Sequence, residues 1–260
     1  MAKNKRDRLK PEGPTWCHPI WNGDEVDRFY AEELRASGYE HNRTIKEATR
    51  AWNAYHRPSV TQKDIQINND LLAPFWVPYI YSTNIHGPIL RELCSVVDRL
   101  APSRVLDVGC GVGLDACFLA KQYPKITVHG TDCSQGMIDL SLERARRRRL
   151  MNMAFSVVTH QRLPTFYPDE RFDFIYAHGS LTFMNVDQLQ KQIMGISYLL
   201  KAGGVFLCVL QMSVNPHSFL NVVAEMNHGF SLWNGLNGDI RTLRVAGNEV
   251  CWSCAFQREG

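Results

Sequence analysis

What this chain has little of narrows it first. No run approaches the roughly 20 uninterrupted apolar residues of a membrane-spanning helix, so no membrane partner is expected. The N-terminus is charged with no apolar segment behind it, which argues against a secretory leader. An excess of one charge sign is also missing: 29 Lys and Arg stand against 26 Asp and Glu, a formal +3. Five cations against Asp7 put +4 into the first ten residues. The remainder is near neutral and lacks the wide basic face of a nucleic-acid binder, so nucleic acid is not an expected partner. The eight cysteines have no framework spacing and read as reduced thiols of a cytoplasmic protein. Internal repeats and low-complexity linkers are absent too. With 45% hydrophobic residues, what is left is a globular chain able to bury its own core.

Residues 1–100 and 101–260 read as two domains. The first is rich in Trp, Tyr, His and Pro and shows no alternation of strands and helices. Its first ten residues read as a basic flexible arm. Asp24 to Ser37, Thr44 to His56 and Ile89 to Leu100 have helical spacing, and the aromatic stretch Ala73 to Pro88 is broken by three prolines. In the second part, strands are expected at Arg104 to Val108, Ile126 to Gly130, Ala154 to Val158, Phe172 to Ala177 and Val205 to Gln211. Helices are expected between and after them, at Leu114 to Gln122, Met137 to Leu150, Val186 to Leu200 and Pro216 to His228. The arginines 144 and 146–149 close the Met137 helix, where cations favour the negative end of the macrodipole. Ile240 to Val245 and Glu249 to Phe256, around Ala246-Gly247-Asn248, read as a hairpin. The expected fold is α/β: a doubly wound, seven-stranded, mostly parallel sheet ending in an antiparallel hairpin, with an N-terminal helical cap.

The chemistry centres on Val105-Leu106-Asp107-Val108-Gly109-Cys110-Gly111-Val112-Gly113. Alternate glycines after a strand allow a tight turn and a close ligand approach, and the helix that follows adds free N–H groups. A dinucleotide-type GxGxxA can be forced from Gly111, Gly113 and Ala116. Asp107 argues against it, because a carboxylate there would face a pyrophosphate, anion against anion. It suits a ligand carrying an ammonium and a sulfonium. Asp132, 25 residues further on, stands at the tip of the second strand, where an acid accepts from both hydroxyls of a ribose. Adenosine with an amino-acid tail fits both carboxylates, which points to S-adenosylmethionine.

On these residues the stretch 104–211 resembles the core of the class I S-adenosylmethionine-dependent methyltransferases, of the small-molecule type. VLDVGCGVG matches their first motif, Phe172-Asp173-Phe174-Ile175 their fourth-strand element, and Leu200-Lys201-Ala202-Gly203-Gly204 the turn before strand five. The resemblance implies that Gly109, Cys110 and Gly111 pack on the methionine end of the cofactor and that Asp107 reaches its ammonium. It implies further that Asp132 takes the ribose, that Cys133 and Met137 line the adenine face, and that S-adenosylhomocysteine is the product. Many members have an Asp after the third strand to accept from the adenine amino group. Here His160 stands in that place, and either a neutral His160 or the Gln161 amide oxygen can accept instead.

Methyl transfer asks the protein to align a nucleophile and, where needed, remove its proton. His178, just after strand four, sits where a general base is expected, with a loop-bonding structural histidine as the bland alternative. Tyr81 and His86 lie upstream of the first core helix, with Tyr79 and Asn84, where related small-molecule enzymes cover the methionine end. Phe75 and Trp76 read as anchors of the cap; Trp16, Trp21, Phe29 and Tyr30 are candidates for a lid. The Asn/Asp-Pro-Pro-Tyr tetrad of enzymes acting on base amines is absent. Cys251 and Cys254 fall in a strand, where residues three apart point to opposite faces, so no zinc and no other metal is expected. The expected activity is methyl transfer to N or O of a small-molecule acceptor. RNA or protein methylation through the basic arm, or a cofactor-binding scaffold without catalysis, stand as alternatives, and the sequence sets no oligomeric state.

Overall fold

The computed structural model describes residues 25–36, 50, 62–77, 86–169, 171–182, 184–211, 216–225, 230–232, 241–245 and 248–259. The basic arm, the helix expected at Thr44 to His56 except for residue 50, and Trp16, Trp21, Tyr79, Tyr81 and Asn84 lie outside them.

Five parallel strands carry the fold: β1 (Arg104–Val108), β2 (Thr127–Asp132), β3 (Met153–Val157), β4 (Phe172–His178) and β5 (Leu200–Gln211). Their order is 3-2-1-4-5. β1 and β4 read as near-continuous apolar runs because layers cover both faces of the sheet. The order reverses at β1, so the crevice outside the C-terminal ends of β1 and β4 is the topological switch point, where ligands bind in open α/β sheets.

Three further strands follow: β6 (Phe230–Leu232), β7 (Arg241–Val245) and β8 (Asn248–Arg258). β8 runs antiparallel along β5, from Gln211↔Cys251 to Val205↔Gln257. Its other edge pairs with β7 up to Ser253 and with β6 from Phe256 to Arg258. The two short strands succeed one another along a single edge, so the position expected as one hairpin strand is filled by two pieces. Among the described residues the sheet therefore has eight strands rather than the expected seven. Cys251 and Cys254 fall in the apolar layers on opposite faces of the sheet, as strand alternation requires.

On one face lie α1 (Glu25–Ala36), α2 (Gln62–Leu72), α3 (His86–Leu100), α4 (Leu114–Gln122) and α5 (Gln135–Arg147); on the other lie α6 (Leu163–Phe166), α7 (Val186–Leu199) and α8 (Pro216–Glu225). α3 starts at His86, earlier than expected, because Pro88 falls in its first turn, where no N–H is required. α5 begins at the cap Ser134, whose Oγ accepts from the Met137 N–H at 3.1 Å. Phe75 and Trp76 pack against the core as expected. Phe29 does not act as a lid: it is 1% exposed, edge-on to Phe118 at 5.3 Å, and belongs to the core.

The arginine run does more than complement a helix dipole. The buried Glu33 carboxylate of α1 accepts from Arg144 (2.5 Å), Arg147 (2.6 Å) and Arg148 (2.5 Å) of the α5 end. Arg148 also lies 4.1 Å from the Phe29 ring centre, and Arg144 donates to the Val112 carbonyl. The run thus ties α1 to the glycine loop. At the N-terminal end of the sheet, Asp173 accepts from the Ser103 N–H (2.9 Å) and hydroxyl (2.6 Å), the Arg104 N–H (2.8 Å) and Lys201 (2.6 Å). It clamps the starts of β1, β4 and β5 together.

Candidate active site

The β1–α4 loop is built from backbone. Gly109, Gly111 and Gly113 take φ of 76°, 53° and 70°, the left-handed region that glycine enters without steric cost. The Gly109 and Cys110 N–H groups both donate to the Thr131 carbonyl, at 2.7 and 2.8 Å. A Cβ at Gly109 would collide with Ser180, whose hydroxyl donates to the Val108 carbonyl at 2.6 Å. The Trp76 indole nitrogen stands 3.4 Å from where a Gly111 Cβ would be. The loop is therefore held between β2, the segment after β4 and the N-terminal region.

Two carboxylates flank it. Asp132 is buried, and its oxygens accept from the Gly111 N–H at 3.0 Å and the Ser134 N–H at 2.9 Å. Burial raises its pKa, with those N–H groups opposing. Cys133 adds hydrogen bonds from its thiol and its backbone to the same carboxylate. Asp107, 2% exposed, is paired in register with Tyr176 of β4. Its Oδ2 and the Tyr176 hydroxyl are both buried and interact with each other, but neither makes a well-formed hydrogen bond. Burial, then the charge of Asp115, pushes the Asp107 carboxyl well above the usual carboxylate range. An under-satisfied buried acid beside a glycine cradle is what an incoming ammonium would complete.

The expected adenine residues separate. His160, in a 3-10 turn after β3, has a buried Nδ1 without a partner, and burial pushes its pKa down to about 4. It is a neutral acceptor or donor facing an unmet need, whereas Gln161 is exposed. Cys133 is buried and Met137 is sealed into the core at 1% exposure.

His86 and His178, 92 residues apart in sequence, meet through a residue that sequence reading passed over. Asp115, in the first turn of α4, lies 2.7 Å from His178 Nδ1 and 3.2 Å from His86 Nδ1, one carboxylate oxygen to each ring. The ring centres are 4.2 Å apart. Burial lowers the His86 pKa, and the charge of His178 adds to this against Asp115. Burial opposes ionisation of Asp115, but the two imidazoles outweigh it and hold the carboxyl well below its ordinary range. No metal is expected from the sequence, yet three side chains able to ligate one, two imidazoles and a carboxylate, converge here. Tyr81, the third expected catalytic residue, lies outside the described residues.

Residues 105–204 match the family model of the methyltransferase domain, across the loop, both carboxylates and β4. The chain carries a class I S-adenosylmethionine-dependent methyltransferase domain. Methyltransferase GfsG of Streptomyces halstedii is 33% identical over 116 residues, 44% of this chain and 40% of GfsG. The ribosomal RNA small subunit methyltransferase C of Pectobacterium atrosepticum is 25% identical over 212 residues, 80% of this chain and 55% of the relative. The chain thus spans about half the length of the curated relatives it matches. Among solved structures, an O-methyltransferase family protein from Burkholderia thailandensis superposes with a TM-score of 0.64 at 13% identity, over 85% of this chain and 75% of that one. The magnesium protoporphyrin IX methyltransferase of Synechocystis with bound S-adenosylmethionine does so at 0.53 and 14%, over 88% and 97%. These likenesses fix the methyltransferase fold. No helix among the described residues is long and apolar enough to cross a membrane.

Proposed function

We propose that this methyltransferase transfers a methyl group to the N or O atom of a small-molecule metabolite in the cytoplasm. The observation that carries the cofactor assignment is the pairing of an under-satisfied Asp107 with a backbone-pinned Asp132 on either side of the glycine loop. Asp107 would accept from the ammonium, Asp132 from the ribose hydroxyls, and His160 would pair with the adenine amino group. Bound S-adenosylmethionine supplies an electrophilic methyl group on a sulfonium. The chain's part is to align the acceptor for in-line displacement and to deal with its proton. In this reading the His86–Asp115–His178 cluster at the end of β4 would take that part, with Tyr81 as a further candidate.

Calorimetric titration with S-adenosylmethionine and S-adenosylhomocysteine tests the reading. Micromolar binding is expected, weakened at least about a hundredfold by Asp132→Ala, since two charge-assisted hydrogen bonds are lost. Absence of binding, or an unaffected variant, overturns it. The second reading, RNA methylation, draws on the extent of the match to the ribosomal RNA enzyme and on the basic arm. Against it, Arg144, Arg147 and Arg148 are engaged with Glu33. Deletion of residues 1–10 separates the two: loss of turnover together with a steep salt dependence would favour RNA.

A further inference from the structure

His86 from the first turn of α3, Asp115 from the first turn of α4 and His178 from the last position of β4 reach one point from three separate elements. One imidazole nitrogen from each ring and one Asp115 oxygen lie within 4.8 Å of one another. The side chains are 15%, 7% and 12% exposed. Burying an ionised carboxylate costs several kcal/mol after relaxation, and an apolar trio would pack the same space without that cost.

We propose that His86, Asp115 and His178 form a binding site for a divalent first-row transition metal such as zinc, iron or cobalt. Two imidazoles and one carboxylate favour these ions over magnesium and calcium, which take oxygen ligands throughout. Metal–nitrogen and metal–oxygen bonds of about 2.0–2.2 Å would replace the two Nδ1–Asp115 hydrogen bonds with small side-chain movements. The class I fold needs no metal to transfer a methyl group, so this ion is a property of these three side chains. Three protein ligands leave coordination positions open, and oxygens of the acceptor would fill them. The proposal thereby narrows the acceptor to an oxygen nucleophile, a hydroxyl or carboxylate. It rests on the reading of this end of the sheet as the acceptor side.

The full-length protein, stripped with chelator, is titrated with Co2+ alone and followed by absorption and calorimetry. One equivalent is expected to bind with the weak d–d bands of nitrogen and oxygen ligands and without the intense thiolate charge-transfer band. Affinity should fall at least about a hundredfold in Asp115→Asn and in His178→Gln, each checked for native circular dichroism. An absence of binding overturns the proposal. So does a thiolate spectrum, which would place the ion on the free cysteines, or retained affinity in both folded variants. Titration of the same samples with S-adenosylmethionine separates the two readings: cofactor binding without cobalt binding removes only the metal site, and the converse removes the cofactor assignment.

Discussion

Asp107 and Asp173 sit on neighbouring strands at opposite ends of one sheet, and the fold treats them in opposite ways. Asp173, at the start of β4, accepts from two backbone N–H groups, a hydroxyl and Lys201. Burial works to raise its pKa, but Lys201, Ser103 and Arg104 bring it down to about 2. Asp107, near the end of β1, keeps an oxygen without a well-formed hydrogen bond, facing only the Tyr176 hydroxyl's weak donation, and burial pushes its carboxyl up. A buried polar group left unsatisfied costs about 1–3 kcal/mol. The molecule carries that cost at the end where the strand order reverses and ligands bind, and closes its hydrogen bonds at the other. The same sheet is a clamp at its N-terminal end and, on the proposed reading, a receptor at its C-terminal end.

The largest expected effect comes from a third carboxylate, more deeply buried than Asp173 and equally satisfied. Glu33 is held below its ordinary pKa because its arginines, Arg144 first, outweigh the effect of burial. Glu33→Ala leaves the buried Arg144 without its counter-ion, and such truncations cost about 3–5 kcal/mol. The midpoint of urea unfolding should fall accordingly. Cofactor affinity should fall with it, because Arg144 also holds the Val112 carbonyl of the glycine loop. A loss under about 1 kcal/mol would mean that the arginine cluster does not anchor α1, and the contrast between satisfied and unsatisfied acids would lose its strongest case.

Asp107→Asn sharpens the contrast from the other side. A carboxyl whose folded pKa is raised opposes folding once pH exceeds the unfolded value near 4. The amide removes that penalty, so the ligand-free variant should melt at the same temperature as the parent or higher, and its stability should vary less between pH 4 and 7. Affinity for S-adenosylmethionine should nevertheless drop by about tenfold or more, since a charge-assisted bond to the ammonium is replaced by a neutral one. A variant both less stable and unchanged in affinity would make Asp107 a structural acid like Asp173.

Much of the receptor end was legible because local chemistry forces it. The apolar run of β1 ends at Gly109, which must take a left-handed φ, so strand and loop declare themselves. Asp132 announces itself by standing at the tip of the next strand. Asp115 did not. An acid in the first turn of a helix is already explained by the macrodipole, and its partners lie 29 residues before and 63 after it. Glu33 is separated by 111 residues from Arg144, so a run that reads locally as a helix end proves to be a long-range clamp. Phe29 misled for a related reason: an aromatic on a cap helix looks the same in sequence whether it faces a ligand or Phe118. β6, three residues long, carries no alternation to count, which hid the split edge strand.

The smallest expected effect tests the clamp itself. The folded Asp173 carboxyl titrates at about 2, against about 3.9 for an unperturbed Asp. A group depressed in this way contributes its stability above the unfolded value and loses it as pH falls toward the folded one. The window is therefore pH 4 down to 2. The side chain is 22% exposed and its Lys201 partner 42%, so solvent screening trims the contribution to about 1 kcal/mol. Asp173→Asn should lower stability by that amount at pH 7 and show a shallower acid limb below pH 4. Its cofactor affinity should match the parent's, because Asp173 is at the far end of the sheet from the loop. Acid limbs that superimpose would show that the four hydrogen bonds merely replace those made to water. Weakened cofactor binding would show that the two ends of the sheet are coupled through β1 and β4 rather than divided in their roles.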